Sequence, residues 1–70
     1  MEDKFKEVCE DKRLNQMYMI DVEKATLEAF EKVGYSPSNT IKQAIDKAWV
    51  NSNREDKLCD FVYKVWRSDS

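Results

Sequence analysis

The chain has 70 residues, of which 41% are hydrophobic and 37% charged, and its formal net charge is −2. A chain this short forms one small domain, residues 1–70, and buries only about 60% of its unfolded surface, so we expect it to gain stability by self-association. It has no histidine and one glycine, which excludes histidine-based catalysis and glycine-rich phosphate loops. We therefore expect a non-enzymatic domain without a catalytic site, cofactor or metal.

The first predicted helix covers the region around Phe5. One apolar face follows the i, i+3, i+4, i+7 spacing of a helix and consists of Phe5, Val8, Cys9 and Lys12. Lys12 and Arg13 would lie at the helix end, where cations complement the helix dipole. We predict a short helix that extends to about Arg13.

Residues 14–20, LNQMYMI, are compatible with either a continued helix or a short strand. Four apolar residues follow one another from Met17 to Ile20, so both faces of either element would carry apolar side chains. We expect this segment to be buried, as in a tight bundle or an intertwined dimer.

The next helix is predicted from the apolar positions Val22, Ala25, Ala29, Phe30 and Val33. Asp21 is a suitable N-cap residue. Gly34 is expected to end the helix in a left-handed conformation, and Tyr35 to fold back onto Phe30 or Glu31.

A third helix is expected to follow at once, with Ser36 as its N-cap and Pro37 at its first helical position. Its apolar face would consist of Ile41, Ala44, Ile45, Ala48 and Trp49. The helix should extend to about Val50, before a loop at residues 51–53.

Ser52 and Glu55 have the spacing of a capping box and predict the start of a fourth helix. Its broad apolar face would contain Leu58, Cys59, Phe61, Val62, Tyr63, Val65 and Trp66. So many apolar residues favour burial at the centre of the domain over exposure in a partner groove.

The two cysteines and the N-terminal sequence bear on the cellular compartment. No apolar run approaches the roughly 20 residues of a membrane span, and the first residues are charged where a signal peptide would be apolar. We therefore expect a cytoplasmic protein without a membrane partner. In that reducing compartment Cys9 and Cys59, which are far apart in the sequence, are expected to be core thiols rather than a disulfide or a reactive site.

These patterns predict an all-α fold, a bundle of three to four short helices that self-associates as a homodimer. Its function would be to bind another protein through an aromatic-rich helical face, as small regulators and inhibitors do. The candidate partner-binding residues are Trp49, Phe61, Tyr63 and Trp66. Core packing is expected for at least two of them.

The segment 30–45, FEKVGYSPSNTIKQAI, resembles the helix–turn–helix centre of ribbon-helix-helix repressors and antitoxins. The resemblance covers roughly residues 22–49. It implies an alternative fold, a ribbon-helix-helix dimer with one short strand near residues 14–20, and an alternative function as a DNA-binding transcriptional regulator of antitoxin type.

In that alternative, paired strands would enter the major groove and the start of the second helix would hold a phosphate. The resemblance assigns base contacts to either Asn15 and Met17 or Gln16 and Tyr18. It assigns contacts to the DNA backbone to Ser36, Ser38 and Asn39. No part of the sequence forms a basic stripe, so such DNA contacts would be local.

Overall fold

The computed structural model describes residues 2–69. They form α1 (Glu2–Val8), α2 (Met19–Lys32), α3 (Ile41–Asn51) and α4 (Leu58–Asp69), with a short 3-10 turn at Leu14–Gln16. The predicted all-α bundle is confirmed. Within the described residues no helix is long and apolar enough to cross a membrane.

Helix α4 lies at the centre of the bundle and contacts the other three helices. Its buried residues, each no more than 1% exposed, follow the i, i+3, i+4, i+7 pattern and are Leu58, Phe61, Val62 and Val65. The predicted central burial of this helix is therefore correct. The rest of the apolar core consists of Phe5, Leu14, Val22, Ala29, Phe30, Ile41 and Ile45.

Helix α2 ends where the glycine signal predicts. Gly34 has a φ of 78°, and its N–H donates to the Glu31 carbonyl at 3.1 Å. The Tyr35 N–H donates to the Phe30 carbonyl at 2.8 Å, and the two rings lie edge to face at 5.1 Å. These two bonds form a Schellman motif, which satisfies carbonyls that the helix end would leave unpaired.

The start of α2 differs from the prediction. The Val22 N–H donates to the Tyr18 carbonyl at 3.0 Å, so Tyr18 is the N-cap residue and Asp21 lies within the first turn. The carboxylate of Asp21 still lies at the positive end of the helix dipole. An acidic residue is therefore favourable at this end of α2, but the assignment of Asp21 as the N-cap was wrong.

Helix α1 ends at Val8, five residues before the predicted end at Arg13. The following chain instead runs beside the segment that precedes α4. The Leu58 N–H donates to the Lys12 carbonyl at 2.8 Å and the Leu14 N–H to the Asp56 carbonyl at 2.9 Å. Burial of Leu14, which is 0% exposed, favours this path over a longer helix.

Residues 14–20 form the 3-10 turn and the beginning of α2. The short strand of the ribbon-helix-helix alternative is therefore wrong for this chain. The expected burial of residues 17–20 is also wrong, since Tyr18 is 80% and Ile20 61% exposed. These side chains lie at the N-terminal end of α2, whereas the buried face of that helix consists of Val22, Thr26, Ala29 and Phe30.

Helix α3 begins at Ile41, four residues after the predicted Pro37, and its N-cap is Thr40. Ser36 is therefore not an N-cap. Residues 35–38 remain outside a helix because Ser38 donates both its N–H and its hydroxyl to the carboxylate of Asp69 at the end of α4. This contact between distant residues was not visible in the sequence.

The predicted capping box at Ser52 and Glu55 is not formed. The Ser52 hydroxyl donates to the Trp49 carbonyl at 2.8 Å, so this serine is the C-cap of α3. The Glu55 N–H donates to the Asn53 side chain at 3.0 Å, in a turn that precedes α4. Helix α4 then begins at Leu58.

Candidate partner-binding groove

Helices α3 and α4 run antiparallel. Ser38, just before α3, contacts Asp69 at the end of α4, and Trp49, near the end of α3, has its ring 6.3 Å from that of Phe61, near the start of α4. Two antiparallel helices joined by a short turn leave a groove between their outer faces.

This α3–α4 groove has a volume of about 1000 Å³. On α3 its lining follows helical spacing and comprises Gln43, Ala44, Lys47, Ala48 and Asn51, continued by Ser52. On α4 it comprises Lys64, Arg67, Ser68 and Asp69, and one end is closed by Ser38 and Thr40. The alanines are half-buried and the cations exposed, so the alanines form the floor and the cations the rim.

The charge of the groove differs from that of the whole chain. Its lining contains the three cations Lys47, Lys64 and Arg67 and the single carboxylate of Asp69, although the chain has a net charge of −2. Lys64 lies 3.7 Å from Asp56, and its side chain is 64% exposed. A surface pair of this kind contributes little, so Lys64 retains its capacity to attract an anion.

The carboxylate of Asp69 is already bonded within the chain. It accepts hydrogen bonds from the Tyr35 hydroxyl at 2.6 Å, from the Ser38 N–H at 3.0 Å and from the Ser38 hydroxyl. The bonds from the Ser38 and Tyr35 hydroxyls lower the pKa of Asp69 below its usual value, because they favour the ionised form. We call Tyr35, Ser38 and Asp69 the Asp69 latch.

The structure places the four predicted partner-binding residues outside the groove lining. Phe61 is 1% exposed and belongs to the core. Trp49 is half-buried, and the guanidinium carbon of Arg54 lies 3.7 Å from the centre of its ring. The same guanidinium donates to the Trp49 carbonyl at 2.9 Å and to the Ser52 hydroxyl at 2.8 Å.

Tyr63 and Trp66 belong to an aromatic cluster beside the groove, and the guanidinium carbon of the rim residue Arg67 lies 5.8 Å from the centre of the Tyr63 ring. The Trp66 ring lies 5.8 Å from Phe5, 5.8 Å from Tyr63 and 6.4 Å from Tyr35. Both side chains are half-buried. Their rings thus contact other rings of the chain, which is the packing that the sequence favoured for part of this set.

The residues assigned to DNA by the resemblance lie near opposite ends of α4. The Asn15 N–H donates to the Arg54 carbonyl at 2.8 Å, near the start of α4, whereas Ser38 contacts Asp69 at its end. Helix α4 has 12 residues and spans about 18 Å, so the two sets are not brought together. Gln16 and Tyr18 are exposed and Met17 is half-buried; Ser36 and Asn39 are exposed.

The groove residues were missed in the sequence. Ala44 and Ala48 were predicted as part of the apolar face of α3, and no role was predicted for Lys47, Lys64 or Arg67. One signal for the groove was present in the sequence, since Ala44 and Ala48 are four positions apart and Lys47 lies beside them. Small side chains at this spacing leave room for close approach of another element. The pairing with α4 was needed to place the remaining cations.

The structure also brings Cys9 and Cys59 together, although the sequence placed them far apart and in the core. Both are reduced and half-buried. No group of three or more potential metal ligands is found among residues 2–69.

Compared with protein-family models, curated proteins and solved structures, the chain has no significant match.

Proposed function

We propose that this protein is a small regulator or inhibitor that binds another protein, and that its α3–α4 groove receives an acidic amphipathic helix of that partner. The observation that supports this is the groove lining, in which the cations Lys47, Lys64 and Arg67 border a floor containing Ala44 and Ala48. The site differs from the aromatic face expected from the sequence, whereas the class of function is the same.

The shape of the groove suits a helix. Small side chains at Ala44 and Ala48 allow a partner backbone to approach closely, and two flanking helices supply a surface for an apolar stripe. Helix α3 has 11 residues and is about 16 Å long. A partner helix of about three turns would therefore cover it.

The positive charge of the groove rim favours a partner helix with negative charge. Positive side chains on both sides of the floor attract a helix that carries Asp or Glu on both flanks of its apolar stripe. Such complementarity acts mainly on the association rate and on the rejection of wrong partners. Binding should therefore weaken as salt is added, because exposed charges are screened.

The aromatic residues have a supporting role in this proposal. The ring contact between Trp49 and Phe61, at 6.3 Å, fixes the separation of α3 and α4 beneath the groove. Trp66→Ala is expected to lower stability through lost packing, with no specific loss of partner binding in the molecules that remain folded.

The test uses a designed helical peptide with a Leu/Ala stripe flanked by glutamates, titrated into the isotope-labelled protein at low salt. The control peptide keeps the stripe but has lysines in place of the glutamates. We expect chemical-shift changes confined to the groove lining with the acidic peptide and none with the basic one. Equal responses to the two peptides would contradict the proposed charge selection.

A matched pair of variants on α3 tests the site itself. Lys47→Glu changes a rim residue, whereas Lys42→Glu makes the same change at an exposed residue of α3 outside the groove. Lys47→Glu should weaken peptide binding about tenfold, which corresponds to about 1.4 kcal/mol, and Lys42→Glu should have a much smaller effect. Retention of duplex DNA, with no peptide binding, would replace this proposal by the DNA-binding alternative.

A further inference from the structure

Cys9 and Cys59 share one hydrogen-bond acceptor. The Phe5 carbonyl, in α1, accepts the Cys9 N–H at 2.9 Å and the Cys59 thiol at 3.5 Å. Cys9 directly follows α1, and Cys59 lies in the first turn of α4. A single oxygen thus brings the two cysteines to one point of contact between these helices.

The thiols also interact with each other. Burial, together with a hydrogen bond to the Cys59 side chain and the charge of Cys59, raises the pKa of Cys9 to about 12, while the charge of Lys32 opposes the rise. The Phe5 carbonyl oxygen, which accepts from the Cys9 N–H and from the Cys59 thiol, places the two residues next to each other. The cysteines are therefore paired in space within the reduced protein.

We infer that Cys9 and Cys59 are a disulfide-forming pair that is oxidised by small-molecule disulfides and then fixes α1 to α4. The Cys9 N–H and the Cys59 thiol meet at the Phe5 carbonyl, which supports this inference. Access is available because Cys9 lines a second, open cavity of about 390 Å³ between the end of α1 and α2.

The reaction proceeds by two exchanges with one molecule of oxidised glutathione. A protein thiolate attacks a sulfur of the reagent, which forms a mixed disulfide and releases one glutathione thiolate. The second protein thiolate then attacks the protein sulfur of that mixed disulfide, and the second glutathione thiolate leaves. The two cysteines lose two electrons and two protons in total, and the reagent is reduced to two molecules of glutathione.

The bond would act on the shortest helix of the bundle. Helix α1 has seven residues, which is below the length at which an isolated helix is stable. Its buried Phe5 side chain lies against Phe30 and Trp66. A bond from Cys9 to Cys59 would close most of the chain into a loop, and closure of so long a loop restricts the unfolded state strongly.

The experiment incubates the full chain with oxidised glutathione in mildly alkaline buffer, because the raised pKa of Cys9 slows exchange at neutral pH. Intact-mass analysis after alkylation should show a monomer that has lost two hydrogens and carries no glutathione or alkyl group. The melting temperature should rise by about 10 °C or more, and dithiothreitol should reverse both changes.

Cys9→Ser and Cys59→Ser are the matched variants, since serine preserves size and a donor. Each variant should yield only a mixed disulfide with glutathione or a cross-linked dimer. The inference is overturned if the unmodified sequence gives those same products instead of the internal bond. It is also overturned if the internal bond forms but the melting temperature falls, because the cysteines would then be paired only in a distorted fold.

Discussion

Helix α4 is held at both ends by other parts of the chain, and the two attachments are made of different groups. At its start, main-chain hydrogen bonds join Lys12 and Leu14 to residues 56–58, and Leu14 is fully buried. At its end, the attachment consists of the Asp69 latch, in which one carboxylate accepts from two hydroxyl groups and from the Ser38 N–H.

The difference between these attachments is one of solvent exposure and chemistry. Main-chain bonds beside a buried leucine do not titrate and are not screened by salt. A half-buried carboxylate at the surface contributes less than a buried core contact and depends on pH. We therefore expect the start of α4 to determine the stability of the fold, and its end to modulate it.

The largest effect is expected from Leu14→Ala at the start of α4. It removes a side chain that is 0% exposed and leaves a cavity in the core, which costs about 2–5 kcal/mol. In a domain of this size such a loss consumes much of the free energy of unfolding.

Urea unfolding followed by circular dichroism measures the loss from Leu14→Ala. Ile20→Ala, at a side chain that is 61% exposed, is the matched aliphatic control and should cost much less. If the two variants were equally stable, the start of α4 would not be the dominant attachment.

An intermediate effect is expected from Arg54→Ala, in the turn that leads into α4. This change removes the cation–π contact with Trp49, at 3.7 Å, and two hydrogen bonds at the end of α3. Because the arginine is exposed, we expect a loss of about 1 kcal/mol, measurable as a lower melting temperature.

Arg54→Lys tests whether the charge alone is sufficient. Lysine keeps the positive charge but lacks the planar group that lies over the ring and donates to two acceptors. It should recover less than half of the loss in melting temperature. Full recovery would mean that the geometry of the guanidinium contributes nothing.

The smallest effect is expected at the Asp69 latch, which should stabilise the fold at neutral pH and lose this contribution in acid. The folded-state pKa of Asp69 is lowered from its ordinary value near 3.8, so its contribution is complete above that pH and is lost as the pH falls through the lower folded value. Asp69→Asn should reduce stability at neutral pH by less than about 1 kcal/mol.

The pH profile of the melting temperature distinguishes the latch from general acid unfolding. Asp69→Asn should flatten the profile below about pH 4, because the variant has no carboxylate to protonate at this position. Asp46→Asn, at an exposed acid of α3, should leave the profile unchanged. If the two variants gave identical profiles, the latch would not contribute to the pH dependence of stability.

The candidate site could be predicted only in part. Helical spacing gave the apolar faces of α3 and α4, and hence the alanines now seen on the groove floor. The rim cations lie on two helices, and their approach to one another depends on how those helices pack. The aromatic residues of α3 and α4 were predicted to be important. Their ring contacts could not be predicted, because most of them join residues of different segments of the chain.

Elements with a local cause could be predicted from the order of residues alone. Apolar periodicity specified the buried faces, and Gly34 ended α2 because glycine adopts a positive φ without strain. The residues at which the helices start, and the contacts between distant segments, depend on the tertiary structure. Ser52 is not an N-cap because its hydroxyl donates to the Trp49 carbonyl. Ser36 is not an N-cap because the bond from Ser38 to Asp69 keeps this part of the chain outside α3. Short polar side chains bond whichever partner lies nearest, and only the folded chain determines which partner that is.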